Sequence, residues 1–336
     1  MTVLVTGANG FIGRHVVAAL LARGHEVRAL LRPSAVVASN ASTGSVDIAR
    51  GDLTSRAGLA PALDGIECVV HLAAPLRGTS AEHRAVTVEG TRNLLEIMTG
   101  SSARRLVLAS SFAVYDASRV GSEVDEGSPL LSRELSVALG PYTAAKSEQE
   151  QMARRWSADR GFSLTVLRPG FVWGGGRELP ACLGLDLGLA WVVVAPRSRP
   201  CLSYVENCAD LFATAVEDPR AVGQTFNVVD GGDVTTWQSA GDHLRLVRSA
   251  RPRLPVPYAL AMGIVPIARS LLGLSRRRGL GALVAAQFEA RFRPVRAEPR
   301  AAREILGWRP PWTYEQALRR CSDAPSVVGE EAAARE

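Results

Sequence analysis

A tyrosine and a lysine stand four residues apart in the run PYTAAK at residues 141–146. Residues with this spacing lie on one face of a helix, so the side chains of Tyr142 and Lys146 are predicted to project together. A free tyrosine has a pKa of about 10, which is too high for an efficient acid or base at neutral pH. A neighbouring ammonium group stabilises the phenolate and lowers that pKa. The pair therefore predicts a tyrosine that exchanges protons near neutral pH.

The composition makes Lys146 conspicuous. Lysine and arginine total 39 of the 336 residues, against 33 Asp and Glu, and Lys146 is the only lysine. The lysine ammonium is compact and has three donors, whereas the arginine guanidinium is a rigid planar fork. The hydrophobic share of 47% is that of a globular protein. The net charge of +6 comes with few aromatic residues, so a nucleic-acid-binding surface is not indicated.

A glycine-rich turn lies near the start of the chain. Gly7, Gly10 and Gly13 follow the apolar run Val3–Thr6 and lead into the amphipathic run Phe11–Arg23. Glycines at these places permit a tight turn, a close approach of the backbone to a pyrophosphate, and close packing of helix on strand. The helix N-terminus adds N–H groups and a positive dipole end. The turn therefore predicts a dinucleotide-binding site.

The end of the second predicted strand, near Leu31, indicates which dinucleotide to expect. An acidic residue there would bind the ribose hydroxyls of NAD, but this chain has Arg32, which suits the 2′-phosphate of NADP. The alternative is a solvated arginine in an arginine-rich chain, so NAD stays open as the cofactor. Asp52, directly after Gly51, is a candidate acceptor for the adenine amino group, although an Asp after a Gly is also typical of a turn.

Short apolar runs alternate with longer amphipathic runs through the first 115 residues, and two further strand-like runs lie near 163–167 and 225–229. Such repetition predicts a parallel sheet covered by helices on both faces. We expect an α/β Rossmann fold, a doubly wound parallel sheet, with a smaller, mainly helical C-terminal lobe. The predicted division is an NADP-binding domain at 1–170, to which 203–230 returns, a substrate-binding lobe at 171–202 and 231–321, and a disordered tail at 322–336.

The five cysteines are predicted to be buried free thiols, because they are widely spaced and form no metal-type motif. No metal site is expected. The first residues show no signal peptide, so a reducing cytoplasm is the expected location. The apolar stretch 254–274 is interrupted by three prolines and is expected to be a buried or amphipathic helix rather than a membrane span.

Several motifs follow one another along the chain: TGANGFIG at 6–13, GDL at 51–53, HLAA at 71–74, SSFAVY at 110–115, YTAAK at 142–146 and LRPGFVWG at 167–174. In this order they resemble the extended short-chain dehydrogenase/reductase family, in particular its NAD-dependent epimerase/dehydratase and 3β-hydroxysteroid dehydrogenase-like branches. The resemblance runs from residue 2 to about residue 320.

The resemblance implies roles for individual residues. Tyr142 is implied as general acid/base, Lys146 as its pKa-lowering, ribose-binding partner, and Ser111 as the donor that holds the reacting oxygen. A homodimer through the helices that bear Thr87–Met98 and Tyr142–Trp156 is also implied. The implied cofactor contacts are Gly7, Asn9, Gly10, Phe11, Ile12, Gly13, Arg32, Asp52, Leu53, Ala73, Ala74, Tyr142, Lys146, Pro169, Gly170 and Val172.

Two departures from the family pattern are informative. Dehydratases of the family carry an Asp-Glu pair directly after the catalytic Ser or Thr, where this chain has Phe112 and Ala113, so dehydration is disfavoured. The asparagine of the family's NVxGT motif is replaced by Thr87, which puts its usual structural hydrogen bond in doubt.

The predicted function is an NADP(H)-dependent oxidoreductase that interconverts a ketone and a secondary alcohol on a hydrophobic small molecule. The apolar segment 177–199 favours such a substrate, although plain core packing explains it equally well. One alternative is a nucleotide-sugar epimerase with tightly bound NAD. The other alternative is not an enzyme but a cofactor-bound redox sensor or scaffold.

The stretch 245–309 holds 14 arginines and three glutamates. Three interpretations stay open for it: a solvated surface, a weak contact with anionic lipid at a membrane surface, or docking of an acidic carrier protein that presents the substrate.

Overall fold

The structure is a computed structural model that describes residues 1–35, 46–175, 180–271 and 280–323, without the side chains of 181, 265–271, 280–284 and 323. Of the predicted disordered tail at 322–336, residues 322 and 323 are helical instead, and residues 324–336 lie outside the described residues. In chain order the strands are β1 (Thr2–Thr6), β2 (Glu26–Leu31), β3 (Asp47–Arg50), β4 (Cys68–His71), β5 (Arg105–Ala109), β6 (Glu123–Val124), β7 (Ser163–Pro169), β8 (Phe171–Trp173), β9 (Leu185–Asp186), β10 (Trp191–Val194), β11 (Leu202–Tyr204), β12 (Thr225–Val228), β13 (Arg253–Val256) and β14 (Arg296–Ala297).

The helices cover both faces of the main sheet and build most of the C-terminal lobe. A π-helical turn at Arg84–Glu89 leads directly into the third helix. In chain order the helices are α1 (Phe11–Ala22), α2 (Ser80–His83), α3 (Gly90–Gly100), α4 (Arg133–Leu139), α5 (Pro141–Arg160), α6 (Val205–Glu217), α7 (Thr236–Leu246), α8 (Tyr258–Leu271), α9 (Leu280–Phe292), α10 (Arg300–Leu306) and α11 (Tyr314–Asp323).

The main sheet has seven parallel strands in the order β12-β7-β5-β4-β1-β2-β3. The chain winds outward in both directions from β1, so the connections after β1 and β4 leave on opposite faces and a crevice opens at the carboxyl ends of these two strands. The predicted doubly wound parallel sheet is therefore confirmed.

Alternate residues of each strand enter two separate cores. Val3 and Val5 of β1 belong to the core covered by α1 and α6, whereas Leu4 belongs to the core covered by α3 and α5. Because both faces of the inner strands are buried, these strands are mostly apolar rather than alternating between apolar and polar, whereas the edge strand β3 is largely exposed. This is why the short apolar runs of the sequence located the inner strands well.

The second lobe is helical from α7 to α11, as expected, but it also contains a small sheet in the order β13-β10-β9. The pattern did not predict this sheet. Its strands are short, and Pro255 within β13 is a residue that weakens a strand prediction; the proline is tolerated because β13 lies at the sheet edge. The division into domains stays a prediction.

The apolar stretch 254–274 forms β13 and α8, with residues 272–274 outside the described part. In α8 the described side chains Leu260 and Ile264 are about half exposed, at 56% and 47%, whereas Ala261 is buried, so the helix is only partly buried and its exposed side chains include apolar ones. Within the described ranges, no helix has the length and apolarity needed to cross a membrane. The cysteines are free thiols as expected, buried at four positions and partly exposed at Cys321.

Gly7 and Gly13 hold the glycine-rich turn against the sheet. Gly7 has a φ of +70°, and a Cβ added to it would lie 2.8 Å from the backbone nitrogen of Ala73 after β4. A Cβ on Gly13 would lie 2.0 Å from the carbonyl oxygen of Gly7. The turn therefore packs backbone against backbone, which only glycine permits at these two positions.

We expect the substitution Gly13→Ala to lower the free energy of unfolding by about 1–3 kcal/mol, because its methyl group must displace backbone atoms. The matched control is Gly100→Ala at the exposed end of α3, where an added Cβ meets open space; its effect should stay within about 0.5 kcal/mol. Urea unfolding followed by circular dichroism measures both. Equal midpoints for the two variants would contradict the packing described for the turn.

Candidate active site

The predicted catalytic residues lie at the carboxyl edge of the sheet, where β5 meets α5. Ser111 follows β5 and begins a short 3-10 turn at Phe112–Val114. Helix α5 starts at Pro141, which suits a first helical position, and carries Tyr142 and Lys146 one turn apart. Because α5 packs against the 3-10 turn, the helix that carries Tyr142 and Lys146 lies next to the turn that Ser111 begins.

Lys146 is buried, with only 3% of its surface exposed. Its Nζ donates hydrogen bonds to the backbone oxygen of Ala109 at 2.8 Å and to Oε1 of Gln149 at 2.9 Å. Burial lowers the pKa of Lys146 to about 7, although the nearby carboxylate of Glu150 acts in the opposite direction. The ammonium is thus held at the end of the strand that leads to Ser111.

A buried ion pair fixes α5 to the sheet below the site. Arg168 on β7 donates from Nη2 to Oε1 of Glu150 at 2.6 Å and from Nε to Oε2 at 3.1 Å. Ser110 at the end of β5 donates to Oε2 at 2.5 Å. Burial raises the pKa of Glu150, but these hydrogen bonds outweigh burial and leave its pKa below the ordinary value. Glu150 is therefore an anion that joins three elements.

The surroundings of Tyr142 include a residue that the sequence reasoning missed. The ring of His83, from the buried side of α2, meets the ring of Tyr142 edge to face with centroids 6.1 Å apart. The nearby Ser111 accepts a hydrogen bond at Oγ from the backbone N–H of Ala113 at 3.1 Å. No sequence signal indicated His83, because it stands alone in a loop-like stretch.

Tyr115, in the same motif as Ser111, has a different environment. Its hydroxyl donates to Oδ1 of Asn227 at 2.7 Å and accepts from Nη1 of Arg168 at 2.8 Å. Burial raises the pKa of Tyr115 to about 12. This tyrosine is a structural residue that links β5, β7 and β12.

The glycine-rich turn fits a dinucleotide pyrophosphate. Gly10 precedes α1 without a side-chain cap, and the first turn of α1 has no acidic residue. The backbone N–H groups of that turn are thus available to an anion. Asn9 and Gly10 are exposed, and the predicted contacts Phe11, Ile12 and Gly13 form the start of the helix.

Arg32 lies exposed at the end of β2, where the sequence analysis expected a ribose-binding residue. The neighbouring Arg28 is already engaged, since its Nε donates to Oδ2 of Asp47 at 2.5 Å and its Nη1 to two backbone oxygens. Arg32 is thus the better placed of the two for a cofactor phosphate.

Asp52 and Leu53 follow the short strand β3. Oδ1 of Asp52 accepts from both the backbone N–H and the hydroxyl of Thr54, each at 2.8 Å, which is an Asx-type turn. Leu53 is buried, and its carbonyl accepts from Asn93 at 2.9 Å. The observed contacts of Asp52 are therefore those of a turn residue, and its contact with adenine stays a prediction.

The remaining predicted contacts lie after β4, which neighbours β1, at the end of β7 and on β8. Ala73 and Ala74 follow β4 and are partly buried, and Pro169 ends β7. A Cβ on Gly170 would lie 2.3 Å from a backbone oxygen of the segment before β11, so glycine is required there. Val172 on the next strand is partly buried. Of these residues, Ala73 and Pro169 lie at the carboxyl ends of β4 and β7 in the main sheet, and Val172 lies on β8, which pairs with β11.

Both departures from the family pattern have visible consequences. Phe112 packs edge to face against Tyr115, with centroids 5.3 Å apart, and neither Phe112 nor Ala113 can move a proton. The hydroxyl of Thr87 is buried and makes no hydrogen bond with a described residue. The carbonyl of Thr87 instead accepts from the hydroxyl of Thr91 at 2.5 Å.

The apolar segment 177–199, of which residues 177–179 lie outside the described part, is used mainly for packing. Leu183 and Trp191 are buried in the core of the second lobe, whereas Leu187 and Leu189 are exposed to solvent. Core packing therefore explains its buried apolar residues, and the segment is weak support for an apolar substrate pocket.

The chain is similar to several known proteins. The model of the NAD dependent epimerase/dehydratase family matches residues 3–182. The chain is 34% identical over 176 residues to a 4-hydroxy-2-methyl-3-oxo-4-farnesyl-3,4-dihydroquinoline-1-oxide ketoreductase from Stigmatella aurantiaca, a match that spans about half of each protein, 52% and 51%. It is 28% identical over 338 residues to a 3 beta-hydroxysteroid dehydrogenase/Delta 5-->4-isomerase from Mycobacterium tuberculosis, covering 95% of this chain and 89% of that protein.

A solved structure shares the fold. The UDP-glucose 4-epimerase of Thermus thermophilus in complex with NAD is 24% identical, with a TM-score of 0.68 over 96% of this chain and 98% of that one. The family expected from the motifs is thus confirmed. The chain belongs to the NAD dependent epimerase/dehydratase family and is an NAD(P)-dependent enzyme that acts on CH–OH groups.

Proposed function

We propose that the protein is an NADP(H)-dependent oxidoreductase that interconverts a ketone and a secondary alcohol on a hydrophobic small molecule. The observation that supports this most strongly is the buried ammonium of Lys146, one helical turn after Tyr142 and hydrogen-bonded to the strand that leads to Ser111. A buried positive charge next to a phenol favours the phenolate and lowers the pKa of the phenol.

Each of the three residues has a distinct role in this proposal. Ser111 donates a hydrogen bond to the carbonyl oxygen of the ketone and orients it. Tyr142 donates its hydroxyl proton to that oxygen during reduction and takes the proton back from the alcohol during oxidation. Lys146 stabilises the phenolate that Tyr142 becomes, which brings the pKa of Tyr142 closer to neutral pH.

The residues present fit a nicotinamide dinucleotide. The glycine-rich turn with the uncapped start of α1 would hold the pyrophosphate, and Lys146 would hold the nicotinamide ribose. Pro169, Gly170 and Val172 would line the nicotinamide. When bound, the dinucleotide supplies or accepts a hydride at the carbon that carries the substrate oxygen.

The proposed substrate class is supported by the names of two relatives as well as by residues of the site. One relative is named a farnesyl-dihydroquinoline-oxide ketoreductase and another a hydroxysteroid dehydrogenase, and both names describe oxidoreduction of large hydrophobic molecules. Phe112 and Ala113 occupy the positions where dehydratases need acidic side chains. Together these features favour ketone and alcohol chemistry over elimination.

The arginine-rich stretch 245–309 contains many ion pairs with described residues. Arg245 pairs with Asp242, Arg293 with Glu289, and Arg296 with Glu298. These pairs favour the solvated-surface interpretation, since a charge already paired attracts a polyanion less. Lipid contact, a carrier-bound substrate, a homodimer and the cytoplasmic location stay predictions.

We expect Tyr142→Phe to lower kcat for ketone reduction by about 10²–10⁴-fold, because the general acid is removed. Turnover is followed by NADPH absorbance on a panel of hydrophobic ketones, and NADPH binding is checked by fluorescence. The control Tyr115→Phe removes a hydroxyl from a structural tyrosine, so it should lower stability while kcat stays within a few-fold.

Two results would contradict this proposal. Near-normal turnover by Tyr142→Phe would remove Tyr142 as the acid. A wild-type enzyme that converts its substrate without net consumption of NADPH would indicate an epimerase, in which the hydride returns to the product.

The cofactor preference is tested by Arg32→Ala. If Arg32 binds the 2′-phosphate, the variant loses about tenfold in affinity for NADPH and keeps its affinity for NADH. Arg28→Ala is the matched control, because Arg28 is paired with Asp47 and should change both affinities alike. Calorimetric titration with each cofactor measures the ratio. An unchanged NADPH affinity in Arg32→Ala would show that Arg32 does not bind the 2′-phosphate.

A further inference from the structure

Buried polar side chains connect the glycine-rich turn to Lys146. This buried polar chain consists of Thr6, His71, Thr91 and Gln149, each at most 1% exposed. Thr6 Oγ1 lies 2.6 Å from Nδ1 of His71, and Nε2 of His71 lies 2.8 Å from Oγ1 of Thr91. Nε2 of Gln149 donates to the same Thr91 oxygen at 2.8 Å, and Oε1 of Gln149 accepts from Lys146.

The direction of each hydrogen bond follows from the proton of one hydroxyl. Thr91 has a single hydroxyl proton, which it donates to the carbonyl oxygen of Thr87 at 2.5 Å. Its oxygen can therefore only accept from the other two neighbours, Gln149 and His71. Thr87 is one of the positions where this chain departs from the family motif.

The protonation of His71 agrees with this direction. Complete burial, with the charge of Lys146 as a smaller cause, lowers the pKa of His71 to about 3, so its ring is neutral. Since Nε2 must donate to Thr91, the ring proton is on Nε2 and Nδ1 accepts from Thr6. Each ring and hydroxyl proton of the buried polar chain then has an acceptor, and the hydrogen bonds from His71 and Gln149 converge on the hydroxyl oxygen of Thr91.

The hydroxyl oxygen of Thr91, which can only accept, fixes the orientation of the Gln149 amide. With its nitrogen at Thr91, its carbonyl oxygen faces the ammonium of Lys146. A rotated amide would place its NH₂ group against the ammonium and its oxygen against a hydroxyl whose proton is already used. Both contacts would be unfavourable in a buried site. Gln149 thus presents a permanent acceptor to Lys146.

We propose that Gln149 is a positioning residue that orients the Lys146 ammonium towards Tyr142 and the cofactor ribose, and that the buried polar chain fixes its amide for this task. The proposal rests on the function proposed above for Tyr142 and Lys146. With Ala109 and Gln149 accepting two of the three ammonium protons, the third is directed to the remaining side.

Other charged and titratable groups face Lys146 and have to be held constant in any test. On α5 they are Tyr142 one turn before and Glu150 one turn after, and Glu150 is neutralised by Arg168 from β7. From β4 the neutral His71 is near enough to feel the charge of Lys146. From α2, His83 touches the ring of Tyr142.

The single lysine of the chain permits a direct measurement. Protein made with lysine labelled by ¹³C at Cε gives one side-chain signal, which reports the titration of Lys146 without cofactor or substrate. We expect a pKa near 7 in the wild type. Gln149→Met, which keeps the shape but removes the acceptor, should lower that pKa by about one pH unit, and Gln149→Glu should raise it.

The matched control is Gln151→Met, an exposed glutamine two residues along the same helix, which should leave the signal unchanged. Thr91→Val keeps Gln149 but removes the partner that fixes its amide, so the pKa of Lys146 should fall as in Gln149→Met, by less. Circular dichroism confirms that each variant is folded.

The pH dependence of alcohol oxidation distinguishes a residue that positions Lys146 from a residue that only stabilises the fold. In alcohol oxidation, Gln149→Met should shift the acidic limb of the kcat/KM profile to higher pH, because a less protonated Lys146 leaves the pKa of Tyr142 higher. We expect kcat at pH 7 to fall about tenfold with little change in the KM of the alcohol.

A folded Gln149→Met protein with the wild-type lysine titration would overturn the proposal. So would a Thr91→Val variant in which that titration is unchanged. The role of Gln149 and the proposed function can fail separately. If the lysine signal moves as expected while Tyr142→Phe is fully active, the contact of Gln149 with Lys146 stands and the proposed function fails.

Discussion

The burial of one ammonium group is the constraint on which the rest of the site depends. Removing an isolated charge from water costs several kcal/mol unless hydrogen bonds and an opposite charge compensate it. Lys146 obtains acceptors from Ala109 on β5 and Gln149 on its own helix, and Glu150 adds a negative charge one turn away. These partners are aligned only if α5 sits in one register against the sheet, which the pair of Glu150 and Arg168 secures. The fold and the proton chemistry therefore share the same contacts.

The same contacts join the two halves of the site. The glycine-rich turn follows β1, whose last residue, Thr6, begins the buried polar chain that crosses β4 and α3 and ends at α5. A dinucleotide in the turn and a substrate at Tyr142 would thus be held by one rigid hydrogen-bonded body. Rigid support of this kind keeps reacting groups in productive geometry more precisely than loops do.

Much of this architecture was predictable from local patterns. The strands β1, β2, β4 and β5 are short apolar runs buried on both faces, and Tyr142 and Lys146 share a helix face by spacing alone. The contacts of Gln149 and His83 were not predictable, because their partners come from other elements: Thr91 lies 58 residues before Gln149. The small sheet of the second lobe was missed for a similar reason, since its short strands pair across long separations. The segment 177–199 was ambiguous because apolar residues serve a core and a pocket equally well.

The activity of Lys146→Arg tests most directly whether the site needs an ammonium group at this position, since every other basic residue except histidine in this chain is already arginine. The measurement is kcat/KM for NADPH-dependent reduction of the ketone that the wild type prefers, on protein shown to be folded. The planar guanidinium cannot replace the compact ammonium between Ala109 and Gln149, so we expect kcat/KM to fall by about 100-fold or more. A Lys146→Arg enzyme within a few-fold of the wild type would contradict this expectation, because a positive charge alone would then suffice.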